Sequence, residues 1–333
     1  MWFIWLILMI GLGVAFYLVL SLGAKSTVDK QFLRRQQTIA RAEAGNLAAF
    51  FSDFGGSVAV LAQLRTMEQR DANTVRVMEA FVDQWRDRGL VGGIVLTDGR
   101  GIVQFNANVT STSDVGASLA DRDYFVRAKG EPERGLPAGR EGEFFVSKPV
   151  VSRLGASKGQ IIVVAASPVH QNGVFTGVVA ASVKLKPLTE RYLELMKISD
   201  SIEAFLIGQE GDVWYDSTGS LALGTNIFEA GKSGFLGSQA LTDAIKDGLR
   251  TRQGGELETP ENLVAWAPVQ AGDRNWLLVV TDPKQAVAKF TAPFLLRQIV
   301  IFLVVSLGML LFGILTSREI RLELNRPTTQ KSS

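Results

Sequence analysis

Residues 160–185 read QIIVVAASPVHQNGVFTGVVAASVKL. Two runs rich in Val, Ala and Ile flank Asn172-Gly173, a pair that tolerates the positive φ angles of a two-residue hairpin turn. The stretch predicts an antiparallel pair, strands 160–168 and 173–185, and the chain is read outward from it. Upstream, 92–97, 101–106 and 143–151 carry the same enrichment in Val, Ile and Phe, separated by turn signals at Asp98-Gly99 and Leu154-Gly155. A short helix is predicted over 121–129. Residues 130–143, with two Pro and four Gly, read as a loop.

Downstream the pattern restarts. Strands predicted at 202–207 and 212–215 flank Glu210-Gly211 as the first two flank Asp98-Gly99. A helix follows at 237–251, then strands at 262–269 and 276–281. Trp266-Ala267-Pro268-Val269 with Gly272 echoes Ala166-Ser167-Pro168-Val169 with Gly173. This weak repeat predicts two related α+β modules, linked by a helix at 188–198 with Pro187 at its start. Before the first module, 25–70 reads as one long helix. Its stripe of Leu47, Phe50, Phe51, Phe54, Val58, Leu61 and Leu64 follows the helical spacing of three and four. Gly55-Gly56 predicts a kink in it, and a second helix is predicted at 72–87. Both apolar stripes read as core.

The 333 residues are 47% hydrophobic, and the excess sits at the ends. No charged side chain occurs in 1–24 or in 298–317, and each run reaches the roughly 18–20 residues that cross about 30 Å of hydrocarbon as a helix. We expect two spans, the first uncleaved, with Trp2, Trp5 and Tyr17 as interfacial aromatics. Arg318, Arg321, Arg326 and Lys331 follow the second run, so the positive-inside rule places both termini in the cytoplasm and 25–293 outside the plasma membrane. Lys25, Lys30, Arg34 and Arg35 run against that rule, which large translocated domains tolerate. The expected divisions are a span at 1–24, stalk and second helix at 25–87, and a first module at 88–186. A linker helix and second module follow at 187–293, then a span at 294–317 and a cytoplasmic tail at 318–333. That tail is too short for an output domain.

Net charge is +2, which argues against nucleic acid as a partner. With no Cys, thiol chemistry and disulfides are excluded, and with one His a multi-His metal site is excluded. His170 sits in the predicted hairpin turn 169–173 with no Gly-x-Ser-x-Gly elbow to support a triad, and Asp98-Gly99-Arg100-Gly101 lacks the phosphate-loop Lys. No carboxylates show EF-hand spacing. The expectation is no enzyme, no metal and no cofactor.

Three stretches carry a resemblance. DRDYF at 121–125, FFVSKPVVSRLGASKGQIIVVAASPV at 144–169 and NGVFTGVVAASVKL at 172–185 resemble the double Cache sensor domain. That family forms the outer sensing region of bacterial chemoreceptors, histidine kinases and membrane diguanylate cyclases. The resemblance extends over 25–293. It implies an α+β fold in which a long stalk helix carries two PAS-like antiparallel-sheet modules between two transmembrane helices. It also implies ligand binding in the membrane-distal module and a parallel homodimer. In the amino-acid-binding subset an Arg-x-Trp-Tyr motif grips the ligand carboxylate, and Arg122, Tyr124 and Phe125 hold those places here. The upstream Tyr of that motif is Ala117, and the acid that holds the ligand amine aligns with Ser182. These departures favour a small anionic or neutral polar metabolite over an α-amino acid.

Arg122 is the leading candidate, because a guanidinium fork grips a carboxylate with two hydrogen bonds; its bland alternative is an ion pair with Asp121 or Asp123. Tyr124 and Phe125 are neighbours about 100° apart on a helix, so one at most faces a pocket. Phe145 and Ser147 share one strand face and Lys148 the other. The expected ligand set is Arg122, Asp123, Tyr124, Phe125, Phe145, Ser147 and Ser182. The function expected is a membrane-anchored small-molecule sensor acting through a separate signalling protein. The alternatives are the sensory half of a split cyclase, kinase or chemoreceptor, and an interaction domain without a small ligand.

Overall fold

The computed structural model describes residues 2–86, 88–131, 135, 137–193, 201–229 and 234–324. The terminal segments, Met1–Phe32 with Pro283–Ser333, form one compact unit, and Leu33–Asp282 forms another. In the terminal unit, α1 (Trp2–Ala62) begins and α7 (Lys284–Leu324) ends the described chain. Within α7, Leu296–Leu315 is long and apolar enough to cross a membrane, with a mean hydropathy of 2.6 and none of that stretch buried in the protein. The first expected span is helical from Trp2, but its side chains, those of Trp2, Trp5 and Tyr17 included, lie outside the described residues. Thr27–Ala62 also passes on length and composition, yet much of it is buried as core.

The middle unit holds two antiparallel sheets. The first comprises β1 (Val91–Thr97), β2 (Val103–Asn108), β3 (Phe145–Val146), β4 (Val150–Val151), β5 (Ile161–Gln171) and β6 (Val174–Lys184). Its order is β2-β1-β6-β5-β3, with β4 also on β5. The second comprises β7 (Glu203–Ile207), β8 (Val213–Asp216), β9 (Gly255–Glu258), β10 (Asn262–Ala271) and β11 (Arg274–Pro283), in the order β8-β7-β11-β10-β9. The two orders correspond strand for strand, which is the physical content of the repeat. Asn172 and Gly173 take φ of 52° and 77°, as the hairpin turn requires. Alternation along β5 and β6 divides the first sheet cleanly. Val163, Ala165, Val179, Ala181 and Val183 face the stalk, while Ile162, Val164, Ala166, Val178 and Ala180 face α4 (Asp123–Lys129).

The stalk stripe is the shared core. Leu47, Phe50, Phe51, Phe54 and Val58 are buried. Phe54 meets Trp85 of α3 (Asn73–Arg86) edge-on at 5.1 Å, Phe50 lies 5.9 Å from Tyr192 of α5 (Leu185–Leu193), and Phe51 meets Trp276 of β11 at 4.9 Å. One helix therefore serves both modules; Leu47 to Val58 of its stripe are covered from within the chain, while Leu61 is half-buried and Leu64 is exposed.

Several expectations need correction. The helix expected over 25–70 breaks after Ala62, and α2 (Arg65–Gln69) forms a separate turn, leaving Leu64 as its N-cap. The helix α1 runs uninterrupted through Gly55-Gly56, and a Cβ on Gly55 would overlap the Phe144 ring, so this glycine admits an aromatic. The single strand expected at 143–151 is two short ones. Between them the Ser147 hydroxyl accepts from the Val164 N–H at 2.9 Å, and Pro149 has no N–H to offer. The linker helix starts at Leu185, and 194–198 lie outside the described residues. Edge strand β9 is an addition, and His170 belongs to β5 rather than to the turn.

Candidate functional site

On the α4 side of the first sheet lies a small cleft of about 50 Å³. Its floor is Ile162 and Val164 of β5 with Ala180 and Ser182 of β6. Its walls are Arg122 and Tyr124 on one side and residues 152–157 on the other. The matching face of the second sheet is filled instead by Phe205, Phe235, Trp266 and Ile245. The two faces differ through residue size: in matching cross-strand pairs, Val95 with Ala180 leaves room where Phe205 with Val279 does not.

Arg122 is the N-cap of α4, one residue outside the helix. Its Nη2 donates to the Val151 carbonyl at 3.3 Å, and among the described residues it makes no ion pair. Both expected competitors are engaged elsewhere. Asp121 takes a two-pronged bond from Arg153 at 2.6 and 3.2 Å, which holds its carboxyl below the usual carboxylate range, and Asp123 takes Arg274 at 2.7 Å. Four of five guanidinium N–H donors of Arg122 are thus uncommitted at the cleft wall. Tyr124 is buried beside it, and burial raises its phenol well above its ordinary value, so the hydroxyl remains a neutral donor. Ser182 donates weakly to the Gly93 carbonyl at 3.3 Å.

The cleft adds residues that the sequence reading missed. Ser157 closes the 3-10 turn Gly155–Ser157, is 2% exposed, and its hydroxyl has no hydrogen-bond partner among the described residues. A buried hydroxyl without a partner is uncommon, because its desolvation is uncompensated. Asp114 also lines the cleft and accepts from the Gly155 N–H at 3.0 Å, which fixes the turn that carries Ser157. Arg153 stands at the wall, tied to Asp121. The only available signal was the small-residue run Gly155-Ala156-Ser157 after a predicted turn.

Four expected residues are placed away from the cleft. Phe125 is packed edge-on against Phe175 at 6.0 Å. Phe145 lies under the Arg127 guanidinium at 5.1 Å. Ser147 spends its hydroxyl on the Val164 N–H and the Lys148 carbonyl. Asp123 faces the second module through Arg274. Among the described residues no group of three or more His, Asp or Glu side chains is arranged to hold a metal.

Comparison with known proteins agrees with this architecture. No curated protein matches the sequence. The domain of a putative sensory box/GGDEF family protein from Vibrio parahaemolyticus superposes with a TM-score of 0.59 at 14% identity, over 78% of this chain and 98% of that one. The ligand-binding domain of the Pseudomonas fluorescens chemoreceptor CtaA, in complex with L-serine, gives 0.56 at 16% identity, over 77% and 99%. An extracellular ligand binding receptor from Desulfohalobium retbaense gives 0.56 at 18% identity, over 72% of this chain but only 39% of that one. At these identities the likeness is one of fold. The Cache domain family, in its double form, matches residues 24–289, most of the chain, and the protein belongs to that family.

Proposed function

We propose that the chain is a membrane-anchored extracytoplasmic sensor whose first module binds a small carboxylate, with Arg122 as the anion contact. The observation that carries this reading is the pairing, across one cleft, of an uncommitted guanidinium with the buried, partnerless hydroxyl of Ser157. In this reading one carboxylate oxygen accepts from the fork and, once the 155–157 turn moves to uncover the hydroxyl, the other accepts from Ser157. Nothing in the cleft is arranged as a nucleophile with its base, so the reading is one of binding without turnover. Leu296–Leu315 supplies an anchor, and the domain would lie outside the plasma membrane with both termini inside. A homodimer and a separate signalling protein belong to the same proposal.

A second reading has one observation in its favour. Asp114 brings a carboxylate to the cleft although Ser182 is not acidic, and an amine-bearing ligand could use it. Against this, Asp114 already holds the Gly155 N–H. Calorimetry on the full chain in detergent separates the two, with pyruvate and propionate set against L-alanine and L-serine. We expect the amine-free acids to bind and Arg122→Ala to weaken them by about 2–5 kcal/mol, much of it from leaving the ligand's charge unpaired. Tight binding of L-alanine that Asp114→Asn abolishes would establish the second reading instead.

A further inference from the structure

The two modules of the middle unit meet where the β10–β11 turn reaches α4 and β3. Arg274, its side chain 11% exposed, donates from Nη2 to Asp123 Oδ2 at 2.7 Å and from Nε to the Val146 carbonyl at 2.8 Å. Asp273 accepts from Arg127 Nη2 at 2.7 Å and from the Val146 N–H at 3.3 Å. Arg127 Nη1 reaches the same carbonyl at 3.3 Å. The Phe144 ring fills the space that a Cβ on Gly272 of the turn would enter, 2.8 Å away, and also crowds Gly55 of the stalk. Lys148 pairs with Glu210 alongside.

This junction differs in kind from the surface ion pairs. Arg250–Asp247 on α6 (Gln239–Thr251) is a local, exposed pair, and such pairs contribute little. At the junction two guanidinium groups are shielded, and each bonds a carboxylate of the opposite module and one shared backbone carbonyl. Asp123 and Arg122 are consecutive, so whatever holds Asp123 holds the N-cap that presents Arg122 to the cleft. On the other side, Arg274 opens β11, which ends at Pro283.

We propose that the β10–β11 turn positions α4, with Arg274 and Asp273 acting across the junction as positioning residues for Arg122, so that the cleft and β11 are energetically coupled. The functional meaning of this coupling rests on the cleft reading above. Hydrogen bonds tolerate little stretching before they fail. A displacement of α4 on ligand closure must therefore carry the turn with it or break these bonds, and the coupling is reciprocal.

Amide hydrogen exchange of the full chain in detergent, without ligand, tests the proposal. The variants are Arg274→Gln, Asp123→Asn, their double and Arg274→Lys, with Arg250→Gln as the surface control. We expect exchange over 119–130 to rise about tenfold in each of the first two variants, with the β5–β6 strands unchanged. The double should be no worse than either single, Arg274→Lys should recover part of the protection, and Arg250→Gln should have no effect there. An unchanged 119–130, a rise shared equally by the β5–β6 strands, or fully additive singles would each overturn it. If Arg274→Gln does not fold, Arg274→Lys and Asp123→Asn decide by the same comparison. Because no ligand is used, this failure is distinct from loss of the cleft reading, which the Arg122→Ala calorimetry decides.

Discussion

Ser147 and Ser157 are both almost fully buried, ten residues apart, and their hydroxyls have opposite fates. Ser147 replaces a missing strand partner for the Val164 N–H, whereas Ser157 has no partner among the described residues. Truncating each should therefore separate stability from binding. Ser147→Ala leaves a buried donor unsatisfied and should cost about 1–3 kcal/mol in urea unfolding, with pyruvate affinity unchanged. Ser157→Ala removes an already uncompensated hydroxyl and should leave unfolding unchanged or slightly improved while weakening pyruvate; the reverse assignment would discredit both roles. At this scale the sequence was only partly legible. Arg122 stood out through its motif and lines the cleft with Tyr124. Ser147 and Ser157 could not be told apart, because a serine's role depends on which backbone group lies opposite it.

The stalk helix shows the same limit for an element. A Gly-Gly pair at helical spacing signals weakness, since each glycine lowers helix propensity by up to about 1 kcal/mol relative to Ala. In the fold the two glycines are unequal. A Cβ on Gly55 would collide with the Phe144 ring, while one on Gly56 meets nothing within 4 Å. Gly56→Ala should then stabilise the chain by about 0.4–1 kcal/mol. Gly55→Ala should destabilise it by about 1–3 kcal/mol despite the same gain in propensity, because the ring is held between α1 and the β10–β11 turn. Thermal unfolding of the two variants side by side checks this, and equal stabilisation of both would remove Phe144 from its assigned place. The edge strand β9 escaped the sequence reading for a related reason. Gly255-Glu256-Leu257-Glu258 presents one large apolar residue, and it is strand only because β10 lies beside it.

Across the whole molecule, carboxylates of opposite character set the pH response. Asp282, at the end of β11, is 2% exposed and accepts from Ser201 at 3.1 Å; burial raises its pKa. Glu203 is raised by burial first and then by Asp216 and Asp282. A folded-state pKa above the unfolded value means that ionisation opposes folding: stability is fully retained below the unfolded pKa and declines as pH rises through the folded one. Asp121 has the opposite sign, since Arg153 lowers it, and its contribution is lost as pH falls through its folded value. We expect Asp282→Asn to raise the unfolding temperature at about pH 7 and the gain to vanish below about pH 4, where the native carboxyl is protonated in both states. Unfolding temperature measured against pH checks it; a gain that persisted at acid pH would show that charge is not the cause.

The sequence by itself determined the β5–β6 hairpin, the buried stripe of the stalk and the repeat of two modules. Asn172-Gly173 placed the β5–β6 turn, and the three-and-four spacing placed the buried side of α1, because these patterns follow from backbone geometry and need no distant partner. It also located the apolar helix Leu296–Leu315, since length and composition suffice for that. Only the tertiary structure decided what lines the cleft, which of the two acids flanking Arg122 faces the other module, and which serine is left without a partner among the described residues. Each of these depends on what a side chain meets from a segment remote in sequence: Asp123 is 151 positions from Arg274, and local spacing carries no trace of that meeting.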